Sequence, residues 1–268
     1  MSDRSYELIT SRDNPKIRLF ASMHDRRKAS REGLVYIEGM RLCEDALRSG
    51  VIPVNWICIE SRFDMCERWR EEFAIESPLT VTNESCFSKI SSTVNPQGVA
   101  MLVREPESED GFPQREDGKD IFVVLENLQD PGNMGTIIRM ADAFDFNAVI
   151  MTEGCVDPYN EKVLRSSMGS IWHIPLIRGA ESADMIDRLR TAGVSCIAAD
   201  LNGALLDEST ITLPAAYFIG NEGNGLKPET SDRCDTRIKI PMPGKAESLN
   251  AASAASIIGY VLARKCLN

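Results

Sequence analysis

The chain has only two histidines in 268 residues, His24 and His173, and neither lies near cysteines or acids at metal-ligand spacing. A histidine-dependent metal centre or a hydrolase triad is therefore disfavoured, and no metal is expected. Eight cysteines stand at 43, 58, 66, 86, 155, 196, 234 and 266, with no Cys-x-x-Cys pair and no local Cys/His cluster. This scatter argues against a zinc module or a disulfide framework, and reads as a cytoplasmic chain with reduced thiols. No apolar run approaches the roughly 18 residues that cross a bilayer. The opening stretch MSDRSYELITSRDNPK lacks the apolar core of an export signal, so no membrane partner is expected. No internal repeat is found.

What is present is a well-mixed globular composition, 43% hydrophobic and 26% charged, with a net charge of −10. The mean field repels phosphates, which argues against indiscriminate polyanion binding. The distribution is uneven, however. Residues 12–31 carry seven bases (Arg12, Lys16, Arg18, Arg26, Arg27, Lys28 and Arg31) against Asp13 and Asp25, a net +5 that leaves −15 elsewhere. Such a patch can serve a phosphate backbone by counterion release, although a solvated helix face is the commoner reason for a basic run.

Residues 104–120, REPESEDGFPQREDGKD, hold seven acids, three bases, two Pro and two Gly. A stretch of this kind buries too little apolar surface to order itself, and is read as a linker. Before it, over 1–103, apolar bursts at 34–37, 54–59, 79–81 and 98–103 alternate with helical patterns near 40–49 and 64–73. This predicts a small α/β domain. After it, over 121–268, strands are predicted at 121–125, 148–151, 195–199, 216–219 and 237–241, and helices near 134–144, 160–169, 183–192 and 249–265. Continuous apolar strands alternating with helices imply an α/β domain built on a mainly parallel sheet, whose ligands sit beyond the carboxyl ends of the strands.

Three loops at such ends stand out. In LENLQDPGNMGT (125–136), Pro131 and Gly132 predict a tight turn and Asn133 a helix cap. Within the helix that follows, Met134, Ile137, Ile138, Ala141 and Phe144 share one face, which puts Arg139 roughly 160° from the centre of that stripe. IGNEGNGLKP (219–228) places three glycines within six residues, with Glu222 between two of them, and lacks both the Gly-x-Gly-x-x-Gly fingerprint and the Walker A Lys-Ser/Thr. IKIPMPGKAESLNAASAASIIG (238–259) predicts a strand end, a Pro/Gly loop, Ser248 as the amino cap and a helix opening on small residues that admit a close neighbour.

Taken in order and with their separations, these loops resemble the SpoU (TrmH-like) branch of the SPOUT RNA methyltransferases. The resemblance covers about 121–262 and rests on Asn133 and Arg139, on Gly220 with Glu222, and on Ile240, Ser248, Leu249 and Asn250; DPYNEKVLRSSMG (157–169), which contains Arg165, also looks like the family. One departure is Asp145, where the family usually has Gly. The region before the linker is similar to the small ribosomal-protein-like RNA-binding domain that often precedes this catalytic domain. The resemblance implies a trefoil knot, S-adenosylmethionine held by main-chain groups around Gly220, Ile240 and Leu249, no metal, and a homodimer. It implies methyl transfer to a ribose 2′-hydroxyl of structured RNA, ribosomal RNA in preference to transfer RNA. Arg139 would stand near the reacting oxygen, with Asn133, Glu222, Ser248 and Asn250 orienting it, the substrate or the loops. Arg12, Arg26, Arg27, Lys28 and Arg165 are the expected RNA contacts. The rival reading is a catalytically silent RNA-binding scaffold that keeps the fold.

Overall fold

A computed structural model describes residues 6–108, 111–207 and 211–267. The expected spans 1–103, 104–120 and 121–268 each include a few residues outside that set. Two compact units divide between Glu107 and Ser108.

The first unit runs β1 (Leu8–Ile9), α1 (Pro15–Ser22), α2 (Arg26–Arg31), β2 (Leu34–Glu38), α3 (Met40–Arg48), β3 (Pro53–Ile59), α4 (Phe63–Glu72), β4 (Leu79–Thr82), α5 (Glu84–Ile90) and β5 (Val99–Arg104). Its sheet has the order β1-β4-β3-β5-β2, with β1, β4 and β3 parallel and β5 antiparallel to both β3 and β2. The basic stretch is where α1 and α2 form. Asn14 and Asp25 cap them through their side-chain oxygens, and Pro15 opens α1 at a position that needs no N–H. Ile17, Phe20 and Ala29 turn inward against Phe87, Ile90 and Leu102, so Arg18, Arg27 and Lys28 between them are left to face water.

The second unit runs β6 (Ile121–Leu125), α6 (Pro131–Ala143), β7 (Ala148–Thr152), α7 (Glu161–Ser167), β8 (Leu176–Ala180), α8 (Ser182–Thr191), β9 (Ser195–Leu205), β10 (Ala215–Ile219), α9 (Pro228–Arg233), β11 (Thr236–Lys239) and α10 (Ala251–Cys266). All six strands are parallel, in the order β11-β9-β10-β6-β7-β8. β6, β7 and β10 are buried along their whole length, as strands covered on both faces must be. β11 ends at Lys239, so Ile240 and Pro241 belong to the loop after it, not to the strand the pattern predicts. Of the acidic stretch expected to be a linker, Arg104 ends β5. Phe112 packs edge-on to Phe122, Arg115 pairs with Asp145, and the buried Asp120 accepts from the Asn147 amide at 2.7 Å.

Two predicted caps move. Asp130, not Asn133, caps α6, its Oδ1 accepting from the Asn133 N–H at 2.8 Å. Asn250, not Ser248, caps α10, accepting from the N–H groups of Ala252 and Ser253. In each case the capping oxygen belongs to the residue at which the chain turns into the helix, and a polar residue a few positions away is left for another task. At the other end of α6, Asp145 adopts the left-handed conformation at φ 55°. The Phe146 N–H returns to Ala141 O and the Asp145 N–H to Asp142 O, which closes a Schellman turn without the usual glycine.

α6 and α7 cross at Gly135, where a Cβ would lie 2.0 Å from Ser166 Oγ and 2.7 Å from the Val163 carbonyl. Gly135→Ala must push the helices apart, at a cost of about 1–3 kcal/mol. A thermal melt should show the transition several degrees lower, and an unchanged midpoint would mean that the crossing is not tight.

Candidate functional site

β6 and β10 are neighbours, yet the chain leaves β6 toward β7 on one side and approaches β10 from β9 on the other. Their carboxyl ends therefore flank the crevice at which the winding of the sheet reverses, the usual place for a ligand in such a sheet. The loops of the first two motifs start there, joined by a 2.9 Å bond from the Glu126 N–H to Ile219 O.

The glycine-rich loop after β10 is held by its own atoms. Asn221 and Gly225 exchange backbone hydrogen bonds of 3.0 and 2.9 Å, and Asn221 Oδ1 accepts from the N–H groups of Gly223 and Asn224. A Cβ at Gly220 would lie 2.1 Å from Gly225 C and Leu226 N, so no side chain fits beneath this turn. Behind it, the buried Glu126 carboxylate accepts from the Ser182 hydroxyl, from Thr230 Oγ1 at 2.5 Å and from the Lys227 N–H at 2.7 Å.

Glu222 projects from this loop to the first motif. Its Oε1 accepts from the Asp130 N–H at 2.9 Å and from Asn133 Nδ2 at 3.0 Å, and its Oε2 accepts from the Gln129 N–H at 3.2 Å. Asn133 Oδ1 accepts in turn from Asn250 Nδ2 at 2.8 Å. One chain, Glu222 to Asn133 to Asn250, thus links all three motif regions, and Asn250 holds the start of α10 at its far end. Partial burial pushes the Glu222 carboxyl up, but the hydrogen bonds from Asn133, Asp130 and Gln129 outweigh it and hold it below the ordinary carboxylate value. The carboxylate that accepts these donors is an organiser of the loops, with little capacity left to take a proton.

A cavity of about 350 Å³ opens beside this chain, within the size range of small-molecule sites, about 300–1,000 Å³. Ile219, Ile238, Ala251, Ala254 and Ile258 give it apolar walls, and the Gly220–Gly225 turn and part of the loop from Ile240 to Leu249 complete the lining. Gly220, Glu222, Ile240, Ser248 and Leu249 all line it, as does Asp200. Hydrogen bonds from the Ser231 hydroxyl and the Asn202 N–H keep the Asp200 carboxyl below its usual range, so the rim carries negative charge.

Arg139 is exposed on α6 in line with Thr136 and Ala143, makes no hydrogen bond or ion pair with a described residue, and is not part of the cavity wall. Arg165 is exposed on α7, 3.6 Å from Glu161. In the first unit Arg12, Arg27 and Lys28 face solvent. Arg26 differs: its side chain is 19% exposed, and its guanidinium meets Glu105 at 2.5 Å and donates to Leu34 O, so it serves the fold of its own unit and is not offered to a ligand. Sequence reasoning passed over Asp130, Asn221 and Glu126. An Asp directly before Pro is a recognisable cap signal; nothing local marks the other two. Among the described residues there is no group of three or more His, Cys, Asp or Glu that could hold a metal, and no helix long and apolar enough to cross a membrane.

The family described as SpoU rRNA methylase matches residues 120–260 of this chain. The chain belongs to the SpoU rRNA methylase family. A second family, the MRM3-like substrate binding domain, matches residues 14–101. Among SpoU relatives, the 23S rRNA (guanosine(2553)-2′-O)-methyltransferase RlmP of Bacillus subtilis is 32% identical, over 95% of this chain and 98% of its own length. The AdoMet-bound rRNA methyltransferase from Sinorhizobium meliloti is 30% identical with a TM-score of 0.85, covering 98% of this chain and 99% of that one. The SpoU methyltransferase AviRb from Streptomyces viridochromogenes, in complex with AdoMet, is 28% identical with a TM-score of 0.81, covering 95% and 99%.

Because the Glu222 carboxyl titrates lower in the folded chain than in the unfolded one, its stabilisation is complete above the unfolded value near about 4.3 and is lost as the pH falls through the folded value. Glu222→Gln removes that acid-side loss and also sets an amide N–H against a donor. Urea titrations should show a smaller stability difference between pH 7 and mildly acidic pH in the variant, along with lower stability at pH 7. Equal acid sensitivity in both proteins would show that Glu222 carries none of it.

Proposed function

We propose that this chain transfers a methyl group from S-adenosylmethionine to a ribose 2′-hydroxyl of ribosomal RNA in the cytoplasm. The observation that carries this reading is the hydrogen-bond chain through Asn133, which ties the cavity loops to the helix that bears the unpaired Arg139. The ribosomal preference is supported by the B. subtilis and S. meliloti relatives and by the substrate-binding unit at the amino end.

The cavity suits the cofactor. Its apolar walls and tight main-chain turns match an adenosine moiety, and the carboxylates of Asp200 and Glu222 complement a cationic ligand. Main-chain groups around Gly220 and Ile240 would hold the base and ribose, with Leu249 adding apolar cover. The bound cofactor supplies an electrophilic sulfonium methyl group. A neutral hydroxyl is a poor nucleophile, so the protein must position it about 3 Å from that carbon and favour loss of its proton. Arg139 is held by a helix whose first turn is locked to both other motifs. Its guanidinium stays protonated, which suits stabilisation of the developing alkoxide or anchoring of the adjacent phosphate. Asn133 and Asn250 act through position, and Ser248 stands on the cavity rim beside them. Exposed Arg12, Arg27, Lys28 and Arg165 supply phosphate contacts.

The chain leaves edge strand β11, passes the cavity beyond β9 and β10, and returns as α10 against α6, β6 and β10. This path supports the trefoil crossing that the family resemblance implies. A homodimer is proposed through α10, where Ile257 and Tyr260 remain exposed beside Ser253 and Arg264 while the opposite face is buried. Light scattering at micromolar concentration should give twice the 29.7 kDa of one chain; a monomer mass would overturn it.

Tritiated methyl incorporation into ribosomal RNA, followed by nucleoside mapping, tests the activity, and label on a base would refute it. Arg139→Ala should lower turnover at least a hundredfold while S-adenosylhomocysteine affinity, measured by calorimetry, stays within a few-fold. Failure of the wild-type chain to bind S-adenosylhomocysteine at millimolar concentration would favour the silent scaffold instead.

A further inference from the structure

β9 falls out of step with its neighbour beside the cavity. Up to Ala198 it pairs residue by residue, with Phe218 of β10 opposite Ala198 on one side and Arg237 of β11 opposite it on the other. The next residue of β11, Ile238, lies opposite Ala204. Residues 199–203 are therefore looped out between two consecutive residues of β11. The loop-out closes only because Gly203 has no side chain, since a Cβ there would lie 2.6 Å from Arg237 C and Ile238 N. Added length in one strand bends it and re-aims the side chains it carries, which is why bulges concentrate beside functional sites. Here the re-aimed residues include Ala199, Asp200 and Leu201, and all three line the cavity.

Asp200 is fixed in place by its own surroundings. Its Oδ1 accepts from the Asn202 N–H at 2.9 Å, within the looped-out segment, and its Oδ2 accepts from the buried Ser231 hydroxyl of α9 at 2.5 Å. A carboxylate only accepts, and each of its oxygens has two lone-pair directions, so each keeps room for one further donor. Of the other acids in the wall, Glu222 is taken by the first motif loop, and Glu247 is exposed and makes no hydrogen bond with a described residue. Asp200 is thus the oriented acceptor of the cavity. Because β9 lies between β10 and β11, it also stands between the Gly220 turn that follows β10 and the Ile240 loop that follows β11. An adenosine held by main chain from those two sides carries two adjacent ribose hydroxyls, both donors. The paired oxygens of one carboxylate match such a diol, and an acid beyond a strand end reads a ribose hydroxyl in dinucleotide-binding sheets as well.

We infer that Asp200 accepts hydrogen bonds from the ribose 2′- and 3′-hydroxyls of the cofactor and so selects a riboside, with Ser231 as the positioning residue that orients the carboxylate. This rests on the cofactor reading proposed above and adds a side-chain contact to the main-chain ones. Because Ser231 and the Asn202 N–H hold the carboxylate in one orientation before binding, little ordering is left to do when the ligand enters.

The test is calorimetry on the full chain with three ligands: S-adenosylhomocysteine, its 2′,3′-dideoxy form, and 5′-methylthioadenosine, which keeps the ribose and lacks the amino-acid end. Asp200→Ala should bind S-adenosylhomocysteine about tenfold to a hundredfold more weakly, as expected for loss of hydrogen bonds to a charged acceptor. It should weaken methylthioadenosine by the same factor, and bind the dideoxy ligand as tightly as the wild type does. Ser231→Ala should show the same pattern with a smaller loss, whereas a merely structural role would weaken all three ligands alike. Equal loss with the dideoxy ligand, or no loss with S-adenosylhomocysteine, overturns the ribose assignment and leaves the cofactor reading standing. Unchanged affinity for methylthioadenosine would assign Asp200 to the ammonium group of the amino-acid end and overturn it too. Failure of the wild-type chain to bind S-adenosylhomocysteine overturns both.

Discussion

The Asn133 side chain is the joint on which the site depends. A primary amide offers donors on one side and an acceptor on the other. Asn133 spends a donor on Glu222 and its acceptor on Asn250, which joins residues separated by 89 and 117 positions in the chain. Three loops that would each be free to move are thereby given one geometry. The cap at Asp130 makes this possible, because it takes the N–H of Asn133 and leaves the amide side chain to face the other two loops. An aspartate at 133 could accept from Asn250 but could not donate to Glu222, and an alanine would strand a partner on either side.

Carboxylates at strand ends recur as organisers in both units. Glu222 gathers backbone N–H groups from the first motif, Glu126 gathers two hydroxyls and an N–H behind the glycine loop, and Glu38 gathers the serines of loop 91–97. This bears on the charge balance. The net charge of −10 counts these acids, but each of them is turned to internal donors, whereas Arg12, Arg27, Lys28, Arg41, Arg139 and Arg165 are exposed. An acidic protein can therefore still present exposed bases.

The continuous apolar strands were legible. β6 matches its predicted span, and β7, β9 and β10 were each found with shifted ends, because a buried parallel strand writes itself as an unbroken apolar run. β8 went unread: Leu176–Ala180 contains Arg178 and Gly179, and as an edge strand paired only with β7 it has less need of such a run. α9, at six residues, and the two helices within the basic stretch are too short to show a period. Both cap assignments failed for one reason. Asp130 and Asn133, like Ser248 and Asn250, are alternatives a few positions apart, and local chemistry does not rank them.

By itself the sequence determined two α/β units, a mainly parallel sheet in the second, the exposed face that carries Arg139, and some of the polar residues beyond the strand ends, Asn133, Glu222 and Asn250 among them. These follow from periodicity and residue type, which are local. The tertiary structure alone decided what those polar residues do: that Asn133 bridges and Asp130 caps, that Arg26 is spent on Glu105, that Gly220 is required by the backbone of its own loop, and that Glu38 clamps a distant turn. Each of these is a contact between residues tens of positions apart or a clash between backbones, and a hydrogen-bonding side chain has no assigned partner until folding brings one within 3 Å.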